Sequence, residues 1–287
     1  MTLVHIEGTA PKTSVREVLK IAACMTVTCA LGAALLGAVF MWTNQYQEAA
    51  RVRTEQAAVT EMLGLDGSAE VLQIHQFLDA PKQQVIYRSH PAGKAARELV
   101  FTLDGVLVKQ GEVHETKDAN KGLTPLGRIF VARRGGSVVG FVTEGEAQGY
   151  KNRIRFFVAI DAGFEVAGVR VIEHEEDPGL GAEVATKWFQ GQYAGRKVAS
   201  LPALDVTRDP MPEDWRSALR EKDQMGTAAW QARFASLLAR ENSKQVYAVT
   251  GATISSRALT NGVRKAAHHF ARRWALLEPY LETEKQP

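Results

Sequence analysis

From Ile21 to Trp42 the chain carries no charged side chain, and that run constrains the whole architecture. About 20 apolar residues in a helix cross a bilayer, so a transmembrane helix is expected over 21–42. Lys20 precedes it, and Trp42 ends it as an interfacial aromatic. Gly32, Ala33, Ala34, Gly37 and Ala38 leave a small-residue face for a partner helix. The run is longer than the apolar core of a signal peptide and lacks a small-residue cleavage site. It therefore reads as an uncleaved anchor, against the alternatives of a cleaved leader or a buried core helix. Lys12, Arg16 and Lys20 precede the span, while Arg51 and Arg53 follow at greater distance. The positive-inside rule then puts residues 1–20 in the cytoplasm and the body outside it.

The remaining sequence reads as a folded body on a stalk. Residues 43–68 suit a polar helix leaving the membrane, punctuated by Asp66-Gly67-Ser68. The soluble domain is expected over 69–287, with a core at about 128–277 and a helical insertion at about 202–245. Charged residues are 23% and the net charge is +3, a balance that fits a globular fold and argues against a dedicated nucleic-acid binder. Cys24 and Cys29, the only cysteines, both lie in the span. The body therefore has no thiol for a disulfide framework or an iron–sulfur cluster.

Periodicity supplies the fold class. Gln84–Tyr87 and Glu98–Phe101 are short strand candidates in an otherwise mixed stretch. Ile129–Val131 and Val138–Val142 flank Gly135-Gly136, which predicts a hairpin. Ile154, Phe156, Val158 and Ile160 share one face of a second hairpin, which turns at Ala162-Gly163-Phe164 and returns over Val166–Ile172. A helix is expected over Ala182–Tyr193. Two more are expected within 202–245, one with a stripe of Trp230, Phe234 and Leu237 or Leu238. A last helix carries Leu259, Val263, Ala266, Phe270 and Trp274 on one stripe. Sheet followed by helices predicts an α+β domain of antiparallel strands packed with helices.

Two segments carry the chemistry. In the first, Thr250-Gly251-Ala252-Thr253 precedes Ile254-Ser255-Ser256 and the last helix. Free N–H groups and the positive helix end there favour a phosphate, and Gly251 and Ala252 leave room for a bulky group beside Thr253. Ordinary capping by hydroxyls is the competing reading. The second segment is His174-Glu175-Glu176-Asp177-Pro178-Gly179-Leu180-Gly181. Its Pro-Gly-x-Gly turn brings bare backbone to a surface that a flat ligand can approach. The acids read as a solvated turn rather than a metal site. His174 is either a structural histidine or a proton donor beside a redox ring.

Taken in order, these segments resemble the FMN-binding domain shared by the G subunit of the Rnf electron-transport complex and the C subunit of the sodium-pumping NADH:quinone reductase. That family shows His-x-Glu-Thr-Pro-Gly-Leu-Gly and then Asp-x-x-Ser/Thr-Gly-Ala-Thr, and the resemblance covers about Arg128 to Trp274. It implies FMN joined through its phosphate to Thr253 as a phosphoester, installed by a separate flavin transferase. It further implies a cofactor site of Thr250, Gly251, Ala252, Ser255, His174, Glu176, Pro178, Gly179, Leu180 and Gly181, with Tyr150 near the ring.

Two positions depart from the family pattern. Tyr247 stands where the attachment motif has Asp, and Asp177 replaces Thr beside the flavin loop. Glu173-His174 and Ser255-Ser256-Arg257-Ala258 favour the Rnf branch, whereas Gly181-Ala182-Glu183-Val184 and the chain length lean toward the sodium pump. The resemblance implies an electron-carrier subunit in the bacterial inner membrane, in contact with lipid and with other membrane subunits, with no substrate turnover and no catalytic residues of its own. The alternatives are a membrane-tethered assembly or regulatory protein without flavin, and a stand-alone flavin reductase.

Overall fold

The computed structural model describes residues 14–91, 95–113, 120–225 and 227–282. In chain order the elements are helix α1 (Val15–Met62), strands β1 (Glu70–Asp79), β2 (Gln84–His90), β3 (Ala96–Thr102), β4 (Leu107–Val113), β5 (Thr124–Arg134), β6 (Ser137–Gln148), β7 (Arg153–Asp161) and β8 (Val166–Glu173), helix α2 (Lys187–Gly191), strand β9 (Val206–Thr207), helices α3 (Glu213–Glu221), α4 (Thr227–Arg233) and α5 (Ala235–Asn242), strand β10 (Val246–Tyr247) and helix α6 (Thr253–Glu282). The chain divides into two compact units, one up to Glu55 and one from Gln56 onward.

In the first unit, the Val15–Asn44 part of α1 has a mean hydropathy of 2.0 and is long and apolar enough to cross a membrane. The Thr26 and Thr28 hydroxyls donate to the carbonyls of Ala22 and Cys24 at 2.9 and 2.8 Å. This is how a hydroxyl is satisfied in an apolar helix. The helix continues without a break into the expected stalk but stops at Met62, short of 68. Gly64, at φ 59°, then takes the chain out of helical conformation.

The second unit is built on one eight-stranded sheet of order β4-β3-β2-β1-β5-β6-β7-β8, antiparallel throughout. Both expected hairpins are present, and Gly135 and Gly136 turn the first with φ 56° and 79°. Ile154, Phe156, Val158 and Ile160 are fully buried on one face, where they pack with Leu259, Val263, Phe270 and Trp274 of α6. Burying side chains of this size stabilises the fold by about 1.5–3 kcal/mol each. On the opposite face Phe130, Val142, Phe157 and Ala159 meet Ala58 and Val59 from the end of α1. With helices on both faces of an antiparallel sheet, the α+β expectation holds.

The sheet is wider than its readable strands. The two early candidates lie within β2 and β3, and the unexpected β1 is central, pairing with both β2 and β5. The helix expected over Ala182–Tyr193 is broken. A 3-10 turn covers Gly181–Ala185, and α2 begins at Lys187. Between them Thr186 is extended (φ −74°, ψ 150°), with its hydroxyl donating to the Glu183 carbonyl. Such a β-branched side chain with a local backbone bond competes with helix propagation. Val184 and Trp188 still face the same core.

Candidate functional site

Glu176 is the organising residue of the glycine loop. It is 5% exposed, and its carboxylate accepts backbone N–H bonds from Tyr150, Lys151 and Asn152 at 3.2, 2.9 and 3.2 Å. It also accepts the hydroxyl of Ser255. One side chain thus ties the β6–β7 turn, the loop after β8 and the start of α6 together. Two glycines make room for it. A Cβ at Gly149 would lie 2.3 Å from Glu176 Oε1, and one at Gly181 would lie 2.5 Å from Oε2. Burial pushes the Glu176 carboxyl up, but the Ser255 hydroxyl and the three N–H donors outweigh it, and the net shift is downward. Lys151 adds a surface ion pair to Asp177 at 2.8 Å. Both Glu176 oxygens are thus engaged by protein groups, and the side chain fastens the loops of the motif together.

The hydroxyls at the start of α6 leave the first turn uncapped. Ser255 points to Glu176. Ser256 donates back to the Ala252 carbonyl at 2.9 Å and accepts the Val249 N–H at 3.0 Å. Thr253 is itself the first helical residue, half-buried, and Thr250 is exposed on the preceding turn. The first helical backbone bond runs from Ser256 N–H to Ala252 at 3.0 Å. Among the described residues, the N–H groups of Thr253, Ile254 and Ser255 have no acceptor, which is the arrangement that receives an anion at a helix N-terminus. Capping therefore does not account for this cluster of hydroxyls.

Around that helix end stands an exposed apolar rim. Tyr150 is 69%, Leu180 49% and Ile254 60% exposed. Glu176 brings the Tyr150 backbone and Ser255 to one carboxylate. Gly251 has φ 79°, and a Cβ there would sit 3.2 Å from Leu180 Cδ2, so the two motif loops are in contact. Pro178 and Gly179 lie open on the adjoining turn, Gly179 at φ 74°. Free N–H groups beside solvated apolar side chains fit a flat ring carrying a phosphate. Sequence reasoning missed Ile254, which reads as one more apolar residue of the helix until its exposure is seen. His174 lies just beyond β8, half-buried, with its Nδ1 sheltered and unbonded among the described residues; no hydrogen bond joins it to this cluster. Among the described residues, no group of three or more His, Cys, Asp or Glu side chains could hold a metal ion.

The 202–245 segment packs around Tyr247 of β10, the strand that precedes the Thr250–Thr253 loop. β10 pairs in parallel with β9, and Trp215, Leu219, Trp230 and Leu238 pack with Tyr247 in a small core of their own. Gln192 holds both backbone groups of Tyr247, at 2.8 and 3.1 Å. The Tyr247 hydroxyl donates to the buried Glu241 at 2.9 Å. Arg196, whose pKa burial lowers to about 10, donates to the carbonyls of Glu241, Asn242 and Lys244 and so caps α5. Tyr247 is therefore a core residue anchoring the strand that leads to Thr253, and its side chain does not reach the rim.

An antiparallel α+β fold with two glycine-bearing loops meeting at a helix N-terminus is the class of domain seen here, and residues 149–268 match the FMN-binding domain family. The particular relatives are redox subunits. The G subunit of a proton-translocating ferredoxin:NAD(+) oxidoreductase complex from Clostridium ljungdahlii is 28% identical over 137 residues, covering 48% of this chain and 56% of that protein. The G subunit of the ion-translocating oxidoreductase complex of Cereibacter sphaeroides is 28% identical over 165 residues, covering 54% and 67%. The corresponding protein of Cronobacter sakazakii is 30% identical over 160 residues, covering 54% and 60%. The chain thus spans from just over half to two thirds of the length of these relatives. The crystal structure of Shewanella oneidensis NqrC aligns with a TM-score of 0.44 at 16% identity, covering 75% of this chain and 91% of that one. The expected resemblance to the FMN-binding domain and to the G subunit of Rnf-type complexes is borne out. With the apolar helix of α1, these likenesses to membrane-complex subunits fit a single-pass membrane protein.

Proposed function

We propose that this chain is a membrane-anchored electron-carrier subunit of an ion-translocating redox complex, with FMN held covalently as a phosphoester of Thr253. The observation that carries the reading is the uncapped start of α6. There a half-buried threonine hydroxyl stands among free N–H groups, beside the exposed Tyr150, Leu180 and Ile254. The N–H groups and helix end would hold the phosphate, and the rim would lie against the ring. Glu176 fixes the loops so that neither has to reorganise when the group is present. Bound FMN supplies one- and two-electron chemistry; the chain supplies attachment, orientation and burial. The Rnf-type relatives support membership of a larger complex, with other membrane subunits and lipid around α1, a flavin transferase for maturation and the domain on the extracytoplasmic side. The chain has no turnover of its own on this reading.

One observation favours a second reading. Tyr247 is locked into the insertion's core through Glu241, so a flavin transferase that needs a carboxylate at this place in the motif finds none. A tethered protein without flavin would follow. Co-expression of the full chain with a flavin transferase separates the two. On a denaturing gel under ultraviolet light the band should fluoresce, and a dark band despite active transferase would leave the flavin-free reading standing.

A further inference from the structure

Three turns along α6 from Thr253, the helix presents a second feature that the flavin does not use. A cleft of about 390 Å³ opens between α6 and a second 3-10 turn, Val198–Ala203, which precedes β9. It is lined by Pro202, Asn261, Arg264, Lys265, His268 and His269. A volume of this size suits a small molecule. Its lining holds four basic side chains and no carboxylate. Arg264 is held in place by Asn261 Oδ1 at 3.1 Å and by the Pro202 carbonyl. Lys265 and His268 are exposed and have no ion pair or hydrogen-bond partner among the described residues. The charge extends past the cleft. Burial, and then Arg273, His268, Arg272 and Lys265, lower the His269 pKa. Eleven residues separate Arg264 from Thr253, roughly 16 Å of helix, so the cleft is separate from the attachment site.

Arg264 and Lys265 bring positive charge to a lining that holds no carboxylate, and a bound anion would offset it. Pro202 and the alkyl stems of Arg264 and Lys265 offer apolar surface beside those charges. We propose that the cleft binds an organic phosphate, its phosphate met by Lys265, His268 and His269 and its apolar body lying against Pro202 and the side-chain stems. The phosphate belongs either to a soluble metabolite or to a lipid headgroup, and the cleft's chemistry is the same for both.

The test is calorimetric titration of 1-naphthyl phosphate into the full chain in detergent, with Thr253 already loaded with flavin so that the attachment site is filled. Saturable binding is expected, competed by inorganic phosphate and absent with 1-naphthol. Lys265→Gln and His268→Gln, both at exposed positions that leave the fold intact, should each weaken binding about tenfold, the loss expected for one charge-assisted hydrogen bond. Gel fluorescence at Thr253 should stay unchanged. Displacement of the probe by short-chain phosphatidylglycerol assigns the phosphate to lipid; displacement by soluble monoesters alone assigns it to a metabolite. Either result supports the site. Equal binding of 1-naphthol, wild-type affinity in both variants, or binding only of an acidic peptide would overturn it.

Discussion

The motif after β8 divides into two regions with opposite physics. Glu176 is buried, bonded on both oxygens, and enclosed by Gly149 and Gly181. Four residues later Leu180 is half exposed, beside an equally exposed Ile254 and Tyr150. The first region is a fastening, and every polar group in it is spent on the fold. The second leaves apolar surface and free N–H groups to solvent, which a domain does at a cost unless something covers them. A residue's place in a motif therefore does not say whether it touches a ligand.

The comparison can be broken most severely at the fastening. Glu176→Ala removes the acceptor of three N–H groups and one hydroxyl, and should lower unfolding free energy by roughly 2–4 kcal/mol in a denaturant titration of the full chain. Gly181→Ala forces a Cβ to within 2.5 Å of Glu176 Oε2 and should lose about 1–3 kcal/mol by the same measurement. If either variant is as stable as wild type, Glu176 is not a fastening.

Acid should act on this fastening and also on Glu241 of α5. The folded-state pKa values of Glu176 and Glu241 are both lowered. Burial opposes the shift in each. It is overcome by Ser255 and backbone N–H groups at Glu176, and by Lys244, Arg240 and Tyr247 at Glu241. A depressed carboxyl contributes stability that is complete above its unfolded value, about 4.3, and is lost as pH falls through the folded value. Denaturation midpoints should thus drop between about pH 5 and pH 3, and Glu176→Gln should flatten part of that drop. A pH-independent midpoint would contradict the geometry. Tyr247→Phe tests the insertion, and loss of its bond to Glu241 should remove about 1 kcal/mol. At the rim the effect on stability should be smallest. Leu180→Ser and Ile254→Ser should change it by no more than about 0.5 kcal/mol while shifting the visible spectrum of bound flavin. An unaltered spectrum in both would take the rim out of the site.

How much of this was legible depended on whether a residue's partners were near in sequence. The α6 stripe and the alternation in β7 point at one core and were readable, as were the Gly135-Gly136 turn and the two motif loops. β1 was not. Its buried Gln76 breaks the apolar alternation, and its amide oxygen accepts from Arg273 of α6 at 2.8 Å, 197 residues away. β4 is an edge strand with a Lys109-Gln110-Gly111-Glu112 interior, mostly solvated, and carries little periodic signal. The same limit hid the role of Glu176, whose partners lie 24–26 and 79 residues away, and that of Tyr247, a departure from the motif until the insertion's core is seen around it.

Attachment at Thr253 is the central claim, and intact mass tests it most directly. The full chain, co-expressed with a flavin transferase, should carry the added mass of one FMN less water. Thr253→Val should lack it while staying folded, because that hydroxyl makes no hydrogen bond among the described residues. Thr250→Ala should keep it. An unmodified wild-type mass, persistence of the addition in Thr253→Val, or its loss only in Thr250→Ala would contradict the assignment.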